Sequence, residues 1–289
     1  MKISLLHNPD AGNGFSMAAL RREIEGAGHE IVQELEKGSD FERAGKGGAD
    51  LVVIAGGDGT VRRAVHALHD AGLPLAVLPF GTANNIARAL GIDGPLDELA
   101  RRWDRGRRVR FDLGKVRGDW GETLFLEGVG ARLIPKFMKA AKARLKKEKT
   151  KDAEAQLEIA RRVFREAVET LEPRRLRMTA DGIRIDGKFL MVQVLNIPSI
   201  GPALPVAPSS DLSDGVFDLV VAGEEHRDDL AALLDRKPDE PRPKLPTWHV
   251  RRVEIRACPA IHVDDELRPS AETGDVSIDI VAGKVEFLV

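Results

Sequence analysis

Residues 52–68 read VVIAGGDGTVRRAVHAL and join the two patterns that decide the fold. Four branched or small apolar residues run directly into a Gly-Gly-Asp-Gly-Thr turn, after which apolar residues recur at helical spacing. A short apolar run closed by glycines predicts a buried strand, and the pattern that follows predicts an amphipathic helix. The sequence therefore places a glycine-rich turn with one carboxylate between a strand and a helix.

The same alternation continues on both sides of this stretch. The predicted strands are KISLLHN, HEIVQEL, ADLVVIAGG and PLAVLPF, and the predicted helices are SMAALRREIEGAG, DFERAGKGG, TVRRAVHALHDAG and TANNIARAL. Alternation of this kind is typical of a parallel sheet covered by helices on both faces. We therefore expect a doubly wound α/β domain over residues 1–107, with its ligand at the carboxyl ends of the strands.

After residue 107 the pattern changes to short strands separated by Asp, Gly and Pro turns. This pattern is typical of an antiparallel sandwich or barrel, and we expect a β-rich sandwich domain over residues 108–289. Its last strand could return to the N-terminal domain. Helical segments interrupt it at residues 134–171 and at DDLAALLDR, which precedes the proline-rich turn KPDEPRPKLP. The sandwich is therefore expected to carry inserted helices.

Composition excludes several classes of protein. The 44 Lys and Arg nearly balance the 46 Asp and Glu, and the net charge of -2 argues against a general nucleic-acid binder. The single cysteine, Cys258, excludes an internal disulfide, and the histidines lack metal-ligand spacing. The chain shows no signal peptide and no apolar run of about 18 residues. We expect a cytoplasmic protein, peripheral at the inner membrane face if its substrate is a membrane component.

The turn after the third strand suits a phosphate. Gly56, Gly57 and Gly59 let the backbone turn sharply and approach an anion, and the helix that follows presents unpaired N–H groups to it. Asp58 would repel phosphates unless a cation or water lay between, so the motif implies a contact mediated by Mg²⁺ or water. The structural alternative is a tight turn capped by the Asp58 side chain.

Two further loops are expected at the same edge of the sheet. HNPDAGNG follows the first strand and supplies Asn8, Gly12 and Gly14. PFGTANNIAR follows the fourth strand, and there Gly81 and Thr82 are predicted to open a helix whose N–H and hydroxyl groups cap it or hold phosphate. Each loop alone would be an ordinary turn or capped helix, but three at one edge predict an anion site.

These motifs, together with APSSDLSDGVFDLVV (207–221) and VDDEL (263–267), resemble the bacterial diacylglycerol kinase and lipid kinase family, which includes the sphingosine kinases. The resemblance covers nearly the whole chain. GGDGT is shared with NAD kinases and loosely with phosphofructokinases, whereas the GTxNxxAR and SDGVFDL segments separate this family from them. The resemblance implies an NAD-kinase-like α/β domain, a sandwich that holds lipid, and an ATP-dependent lipid kinase that uses Mg²⁺.

The resemblance also assigns residues. ATP would be held by Asn8, Gly12, Gly56, Gly57, Asp58, Gly59, Thr60, Gly81, Thr82 and Asn85. Glu266 would be the base that deprotonates the lipid hydroxyl, and Asp58 would position metal or water at the phosphates. Because both carboxylates are expected to act on ligand, Asp58→Asn and Glu266→Gln should leave the thermal midpoint nearly unchanged.

A second cation site is implied in the sandwich domain. The resemblance assigns its ligands to the Asp214 carboxylate and the backbone carbonyls of Asp211 and Val216. Oxygen ligands suit a hard ion such as Mg²⁺. The alternative interpretation of the same residues is an Asp-Gly hairpin turn.

The sequence departs from the family pattern at several positions. Asp265 replaces the glycine of an Asp-Gly-Glu motif, Arg62 and Arg63 replace an Asn-Glu pair, Glu34 aligns with a threonine that contacts nucleotide, and Glu127 replaces a small or amide residue. If the replaced glycine has positive φ, Asp265 would tolerate it at modest cost. Glu34, Arg62 and Asp265 leave open a catalytically silent nucleotide-binding regulator, and the shared GGDGT motif and two-domain plan leave open an NAD kinase-like enzyme.

Residues 134–151 form a basic segment with apolar residues at helical spacing. Such a helix can dock on an anionic membrane surface, with Phe137, Met138 and Leu145 facing the lipid. It can equally be a solvated helix that covers the β domain. The first interpretation would also allow a membrane-surface binding protein that is not an enzyme.

Overall fold

The computed structural model describes residues 1–11, 16–36, 38–150, 152–233, 245–268 and 274–289. Gly12, Gly14 and most of the proline-rich turn lie outside these ranges. The chain forms two compact units, one made of residues 1–112 with 282–289 and the other of residues 113–281. The sequence predicted a domain boundary after residue 107. In the structure, the chain passes from one unit to the other between residues 112 and 113 and back between residues 281 and 282, each time within a strand.

Unit 1 is built on a parallel sheet. Its strands are β1 (Lys2–His7), β2 (Glu30–Glu36), β3 (Leu51–Gly56) and β4 (Leu75–Pro79). They lie in the order β2-β1-β3-β4, and every neighbouring pair is parallel. The end of the final strand, β16 (Val276–Leu288), pairs in parallel with β4. The strand order reverses between β1 and β3, which is the point where open α/β sheets bind ligands.

The helices of unit 1 are α1 (Met17–Gly26), α2 (Asp58–Leu68), α3 (Asn85–Ala89) and α4 (Leu96–Arg102), with 3-10 helices at Phe41–Gly45 and Trp103–Arg105. In α2 the buried residues Val61, Ala64, Val65 and Leu68 share one face, as the helical spacing predicted. All six residues of β3 are buried, so both faces of this strand are covered. The predicted α/β domain with a parallel sheet is confirmed.

Unit 2 is a β-sandwich. Its strands are β5 (Arg108–Gly118), which begins in unit 1, β6 (Gly121–Phe125), β7 (Gly128–Arg132), β8 (Arg174–Ala180), β9 (Ile183–Phe189), β10 (Met191–Leu195), β11 (Phe217–Ala222), β12 (Thr247–Val250), β13 (Arg252–Arg256), β14 (Ile261–Val263) and β15 (Glu266–Arg268).

One sheet of unit 2 is antiparallel, in the order β12-β11-β10-β7-β14-β15. Facing it, β13 pairs with β8 and with the first part of β16, β8 pairs with β9, and β5 pairs with β6. Apolar side chains of both layers form one core, in which the rings of Phe125 and Phe217 stack at 5.4 Å between centroids. The predicted β-rich sandwich is confirmed.

Helices cover the other face of the antiparallel sheet. They are α5 (Leu133–Glu148), α6 (Ala153–Thr170) and α7 (Arg227–Ala232), and a 3-10 helix lies at Glu224–His226. The stretch that was predicted as one helical segment is therefore two helices. Along β10, Met191 and Leu195 contact these helices while Val192 and Val194 face the sandwich core, because strand side chains alternate between faces.

The apolar residues of the basic segment belong to this helical layer. Phe137 is only 4% exposed and meets Phe164 of α6 edge to face, with centroids 5.6 Å apart. Met138 and Leu145 are half-buried against the same cluster. The interpretation that these three side chains face a bilayer is therefore wrong, because the unit's own core uses them. Among the described residues, no helix is both long and apolar enough to cross a membrane.

A polar pair is buried in the antiparallel sheet. Gly130 of β7 lies between Gln193 of β10 and His262 of β14, and a Cβ at Gly130 would lie 2.1 Å from Gln193 Nε2. Glycine is therefore required for the two side chains to meet across the strand. His262 Nε2 lies 2.7 Å from the Gln193 side-chain amide, and Nδ1 lies 2.9 Å from the carbonyl of Asp264. Burial lowers the pKa of His262 to about 4, and the hydrogen bond to Asp264 opposes that shift.

This histidine makes stability depend on pH. Because the pKa of His262 falls from 6.5 to about 4 on folding, the unfolded chain takes up this proton first when the solution is acidified. We expect its contribution to the free energy of unfolding to fall by about 2 kcal/mol from pH 7 to pH 5. Urea unfolding at both pH values should show that His262→Gln loses less stability on acidification than the wild type by this amount.

The exposed His66 offers a matched control, since His66→Gln should retain the full loss of stability on acidification. An equal loss in His262→Gln and the wild type would show that His262 does not carry the effect.

Candidate functional site

Unit 1 contains a pocket of about 330 Å³ at the carboxyl ends of its strands. It lies beside the reversal of strand order between β1 and β3, where the loops that follow these strands diverge. The residues that line it are Asn8, Asp10, Ala11, Phe41, Gly57, Gly59, Thr60, Arg63, Gly81 and Thr82. The three loops that the sequence placed at one edge of the sheet therefore contribute to one cavity.

Asn8 joins the first of these loops to α2. Its side-chain Nδ2 donates to Thr60 Oγ1 at 3.1 Å, and its backbone N donates to Ala55 O at 3.0 Å. Thr60 in turn covers Gly56, where a Cβ would lie 2.5 Å from Thr60 Oγ1. Gly56 must therefore be glycine, because a side chain at this position would collide with Thr60.

Two other glycines bring two loops into backbone contact. A Cβ at Gly57 would lie 2.9 Å from the Cα of Gly81, and a Cβ at Gly81 would lie 2.6 Å from the Cα of Gly57. The loops after β3 and β4 can approach this closely only because neither residue has a side chain. The pocket wall at this point consists of backbone, which is the surface that a phosphate can approach most closely.

Asp58 closes the same junction from the other side. Its two carboxylate oxygens accept the backbone N–H groups of Asn85 and Ile86, each at 3.0 Å, and so cap the first turn of α3. Burial raises the pKa of Asp58, and the amides of Ile86 and Asn85 and the charge of Arg88 oppose this shift. The Asp58 side chain thus binds the backbone of α3. The expectation that it contacts metal or water did not include this structural role.

Asn84 is a residue that the sequence analysis missed. It is the N-cap of α3 with φ 50° and ψ 44°, a left-handed conformation that asparagine tolerates better than most residues. Its Oδ1 accepts the N–H of Gly81 at 2.8 Å, and its Nδ2 donates to the carbonyls of Gly81 and Pro79 at 2.8 and 3.2 Å. The Asn-Asn pair at 84–85 could have indicated such a turn.

The helix after β4 starts later than predicted. It begins at Asn85 rather than at Gly81 and Thr82, which lie in the loop. Thr82 is exposed and lines the pocket, whereas the side chain of Asn85 is 3% exposed and lies in the interior. The helix begins later than predicted because the side-chain hydrogen bonds of Asn84 hold the preceding residues in a turn.

The predicted nucleotide residues therefore divide by position. Those that line the pocket are Asn8, Gly57, Gly59, Thr60, Gly81 and Thr82. Gly56, Asp58 and Asn85 support the lining through the contacts above, and Gly12 lies outside the described residues. Asp10, Ala11 and Phe41 also line the pocket, although no sequence pattern indicated them.

Arg63, one of the two arginines that replace the Asn-Glu pair of the family, lies in the pocket wall. The guanidinium of Arg63 is 4.3 Å from the centroid of the Phe41 ring, and its Nη2 donates to the carbonyl of Ser39 at 2.7 Å. These contacts hold a positive charge at the pocket. Glu34, in contrast, lies within β2 and forms an ion pair with Arg21 of α1 at 2.6 Å.

Glu266, the predicted base, belongs to unit 2. It is the first residue of β15, pairs with Val263 across a two-residue turn, and is exposed. Its Oε2 accepts a hydrogen bond from Arg268 Nη2 at 2.8 Å. The carboxylate therefore lies on the surface of unit 2 beside one guanidinium.

The turn before Glu266 is fixed by Asp264. The Asp264 carboxylate accepts the backbone N–H groups of Leu126, Glu127 and Gly128 at 2.8–3.2 Å. Asp264 also has φ 50°, whereas Asp265 does not have positive φ. The left-handed residue of the motif is thus the first Asp, and the conditional expectation for Asp265 does not apply.

The predicted cation ligands of unit 2 lie in an exposed turn. Asp214 Oδ1 accepts the N–H of Val216 at 3.0 Å, and Asp211 Oδ1 accepts the N–H and hydroxyl of Ser213 at 2.9 and 2.7 Å. In the described part of the chain, no three His, Cys, Asp or Glu side chains are grouped as metal ligands. The proposed set needs one carboxylate and two carbonyls, and it stays a prediction.

A second carboxylate lies close to this turn. Asp218 is buried, accepts a hydrogen bond from the Ser210 hydroxyl and lies 3.2 Å from His249 Nε2. Burial raises the pKa of Asp218, the hydrogen bond from Ser210 and the charge of His249 oppose that shift, and the negative charge of Asp214 adds to it. Two like charges with oxygen donors around them are chemically suited to a hard cation.

Family models match both halves of the chain. Residues 2–116 match the family model of the diacylglycerol kinase catalytic domain, and residues 140–279 match the YegS C-terminal NAD kinase beta sandwich-like domain. A diacylglycerol kinase of Bacillus subtilis (strain 168) is 29% identical over 233 residues, which cover 76% of this chain and 73% of that protein. A diacylglycerol kinase of Mycobacterium tuberculosis (strain ATCC 25618 / H37Rv) is 26% identical over 282 residues, covering 91% and 87%.

A solved structure supports the fold independently. The crystal structure of a diacylglycerol kinase from Bacillus anthracis str. Sterne matches with a TM-score of 0.72 over 99% of this chain and 96% of that one, at 19% identity. The two family models match in the order of the α/β and sandwich domains that the sequence predicted. The resemblance is confirmed: the chain belongs to the family of diacylglycerol kinases and related lipid kinases.

Proposed function

We propose that this protein transfers the γ-phosphoryl group of ATP to the hydroxyl of a membrane lipid. Membership of the family supports a lipid kinase role. The observation that carries the proposal is the pocket of unit 1, whose backbone wall at Gly57 and Gly81 lies where α/β sheets bind ligands. The lipid would be diacylglycerol-like, and the protein would reach it as a peripheral protein at the inner membrane face.

The phosphates of ATP would lie against the first turn of α2. Gly57, the N-cap of this helix, has no side-chain cap, so the helix terminus can accept an anion. Arg63 adds a positive charge at the pocket wall. The departure from the Asn-Glu pair of relatives is then favourable for a triphosphate, because it replaces an acidic side chain by a basic one.

Mg²⁺ would accompany the triphosphate. The pocket offers oxygen donors in Asn8, Asp10 and Thr60, which are the ligand type that a hard ion prefers. When bound, the ion neutralises charge on the phosphoryl group that is transferred. Asp58 would act indirectly, by holding α3 and the loop before it in place.

A second ion would stabilise the turn in unit 2. Asp214, with the carbonyls of Asp211 and Val216, would bind it, and its charge would offset the repulsion between Asp214 and Asp218. This role is structural in the proposal, because these residues hold the turn that leads into β11.

Glu266 would take the proton of the lipid hydroxyl. Its carboxylate is exposed and held by Arg268, and the turn before it is anchored by Asp264. An anchored carboxylate can accept a proton from a bound alcohol as the phosphoryl group is transferred. The chemistry otherwise depends on positioning the two substrates and neutralising charge.

Incubation with labelled ATP, Mg²⁺ and a total bacterial lipid extract tests the proposal. We expect a labelled lipid from the wild type, and a rate about 10²–10⁴ times lower from Glu266→Gln, because a general base contributes that much. Glu122→Gln is a matched control, since Glu122 is also an exposed strand carboxylate bound to an arginine. This variant should retain the wild-type rate.

Parallel reactions with NAD in place of lipid separate the alternatives. Label in NAD and in no lipid would identify an NAD kinase-like enzyme, and ATP binding without any labelled product would identify a regulator. Either result would overturn the lipid kinase proposal, and a normal rate for Glu266→Gln would remove that residue from it.

The geometry of Asp58 changes the expectation for its variant. Asp58→Asn places an amide N–H₂ against one of the two backbone N–H groups, so that one buried donor loses its acceptor. We expect unit 1 to lose about 1–3 kcal/mol of stability and to bind ATP more weakly, rather than keep its thermal midpoint. Chemical unfolding with and without Mg²⁺ and ATP measures both effects.

Asp40→Asn is the matched control, because Asp40 also caps a helix of unit 1, at Glu42 N, but is exposed. Asparagine caps helices about as well as aspartate, so this variant should keep the wild-type stability. If Asp58→Asn were as stable as Asp40→Asn, the hydrogen bonds from α3 to Asp58 would not contribute to the stability of unit 1.

A further inference from the structure

Unit 2 contains a second pocket, of about 600 Å³, which is large enough for a small organic ligand. It lies between the start of α5, the segment from the end of α6 to the start of β8, and the β14–β15 hairpin. Pro135, Lys136 and Lys139 reach it from one face of α5, as their spacing requires. Of the residues that line it, only Arg268 has a role in the proposed function, where it holds Glu266.

Positive charge is concentrated around this pocket. Its basic residues are Arg132, Lys136, Lys139, Arg174 and Arg268. Burial and the charge of Arg174 lower the pKa of Arg132. Burial, then Arg132 and Arg227, lower the pKa of Lys136, and Glu172 opposes that shift. These groups repel one another, and an anion placed among them would relieve the repulsion.

The existing partners of these cations are mostly uncharged. Lys136 Nζ donates to the Thr170 hydroxyl at 2.8 Å, and Arg132 donates to the carbonyl of Glu172. Arg268 has a carboxylate partner in Glu266. Within the described ranges, Arg132 Nε is buried without a hydrogen-bond partner. The guanidinium of Arg132 therefore retains a donor for which the described residues supply no acceptor.

The backbone of Arg132 is also unusual. Its φ of 78° and ψ of -97° lie outside the regions that L-residues favour, and such strain persists only where surrounding structure imposes it. Here the strained residue ends β7 and immediately precedes α5. The strain therefore occurs at the residue that carries the unused donor.

Half of the residues that line the pocket are apolar. Its apolar lining residues are Pro135, Leu171, Pro259, Ala260 and Leu267, and Leu267 is a large hydrophobic side chain left 38% exposed. An inorganic anion alone would leave this surface exposed to water. A ligand with an anionic head and an apolar chain would cover the apolar lining residues and neutralise the basic ones at once.

We propose that this pocket binds one molecule of an anionic phospholipid, with its phosphate among Arg132, Lys136 and Arg174 and an acyl chain over Pro135 and Leu267. The site is separate from the proposed transfer of phosphate, because binding needs neither ATP nor an acceptor hydroxyl. It gives the basic segment a more specific role than docking through its apolar face. The cations at the start of α5 form the pocket, and those at its end do not line it.

Calorimetric titration of the full chain with dihexanoyl phosphatidylserine, kept below its micelle concentration, tests the site. This lipid has an anionic head and no acceptor hydroxyl, so binding to it is distinct from kinase turnover. We expect saturable binding of one molecule, at least about 10-fold tighter than dihexanoyl phosphatidylcholine, since each basic residue contributes about 1 kcal/mol. Binding should also be at least about 10-fold tighter than that of chainless glycerophosphoserine, since each buried methylene contributes about 0.8 kcal/mol.

Variants locate the site. The double variant Lys136→Gln with Arg174→Gln should bind about 30-fold more weakly, since it removes two such contributions. The double variant Lys146→Gln with Lys147→Gln removes the same charge from the exposed end of α5 and should bind like the wild type. The thermal midpoint of each variant shows whether it is folded, and the comparison of ligands with the wild type does not depend on the variants.

Several results would overturn the proposal. Equal losses in the two double variants would indicate attraction to the whole basic helix rather than to a pocket. Equal affinity for glycerophosphoserine would indicate a phosphate site without a chain, equal affinity for phosphatidylcholine an apolar site without charge recognition, and no binding at all would exclude the site. Each of these results would leave the lipid kinase proposal standing.

Discussion

The carboxylate of Asp58 is the constraint on which the pocket of unit 1 depends. It lies at the start of α2 and accepts the first two N–H groups of α3, so the segments that follow β3 and β4 cannot move independently. Hydrogen bonds to a charged acceptor contribute about 1.5–3 kcal/mol each. The contact between Gly57 and Gly81 then brings the two backbones together and leaves a wall without side chains. The glycines and the carboxylate of the GGDGT motif thus act together to hold the two loops that form the pocket.

The edge of the sheet where this site forms could be predicted from sequence, because parallel strands bring their carboxyl ends together. Asn8, Thr60 and Gly81 were therefore correctly expected to lie near one another. The partner of Asp58 could not be predicted, since it depends on the left-handed turn at Asn84, which sets where α3 begins. Spacing along the chain does not report which backbone amides a later loop will present.

Unit 2 shows the same limit for the basic segment. Its helical spacing correctly indicated helices, but spacing does not say what the apolar face contacts. Phe137 packs on Phe164 of the neighbouring helix, so the face that could have met a membrane covers a sheet instead. The charge that remains at the start of α5 surrounds an apolar pocket that no sequence pattern described. Asp264 was similarly hidden, because its three amide partners lie more than a hundred residues earlier in the chain.

In the proposed function, a triphosphate binds against the first turn of α2 and the loop held by Asp58. Hydrogen–deuterium exchange with and without Mg²⁺ and ATP can locate this binding, because exchange reports on each backbone segment separately. We expect slower exchange at residues 8–11, 57–61 and 80–86 when nucleotide is bound. Unchanged exchange in these three segments at a nucleotide concentration that supports phosphoryl transfer would contradict the proposed binding.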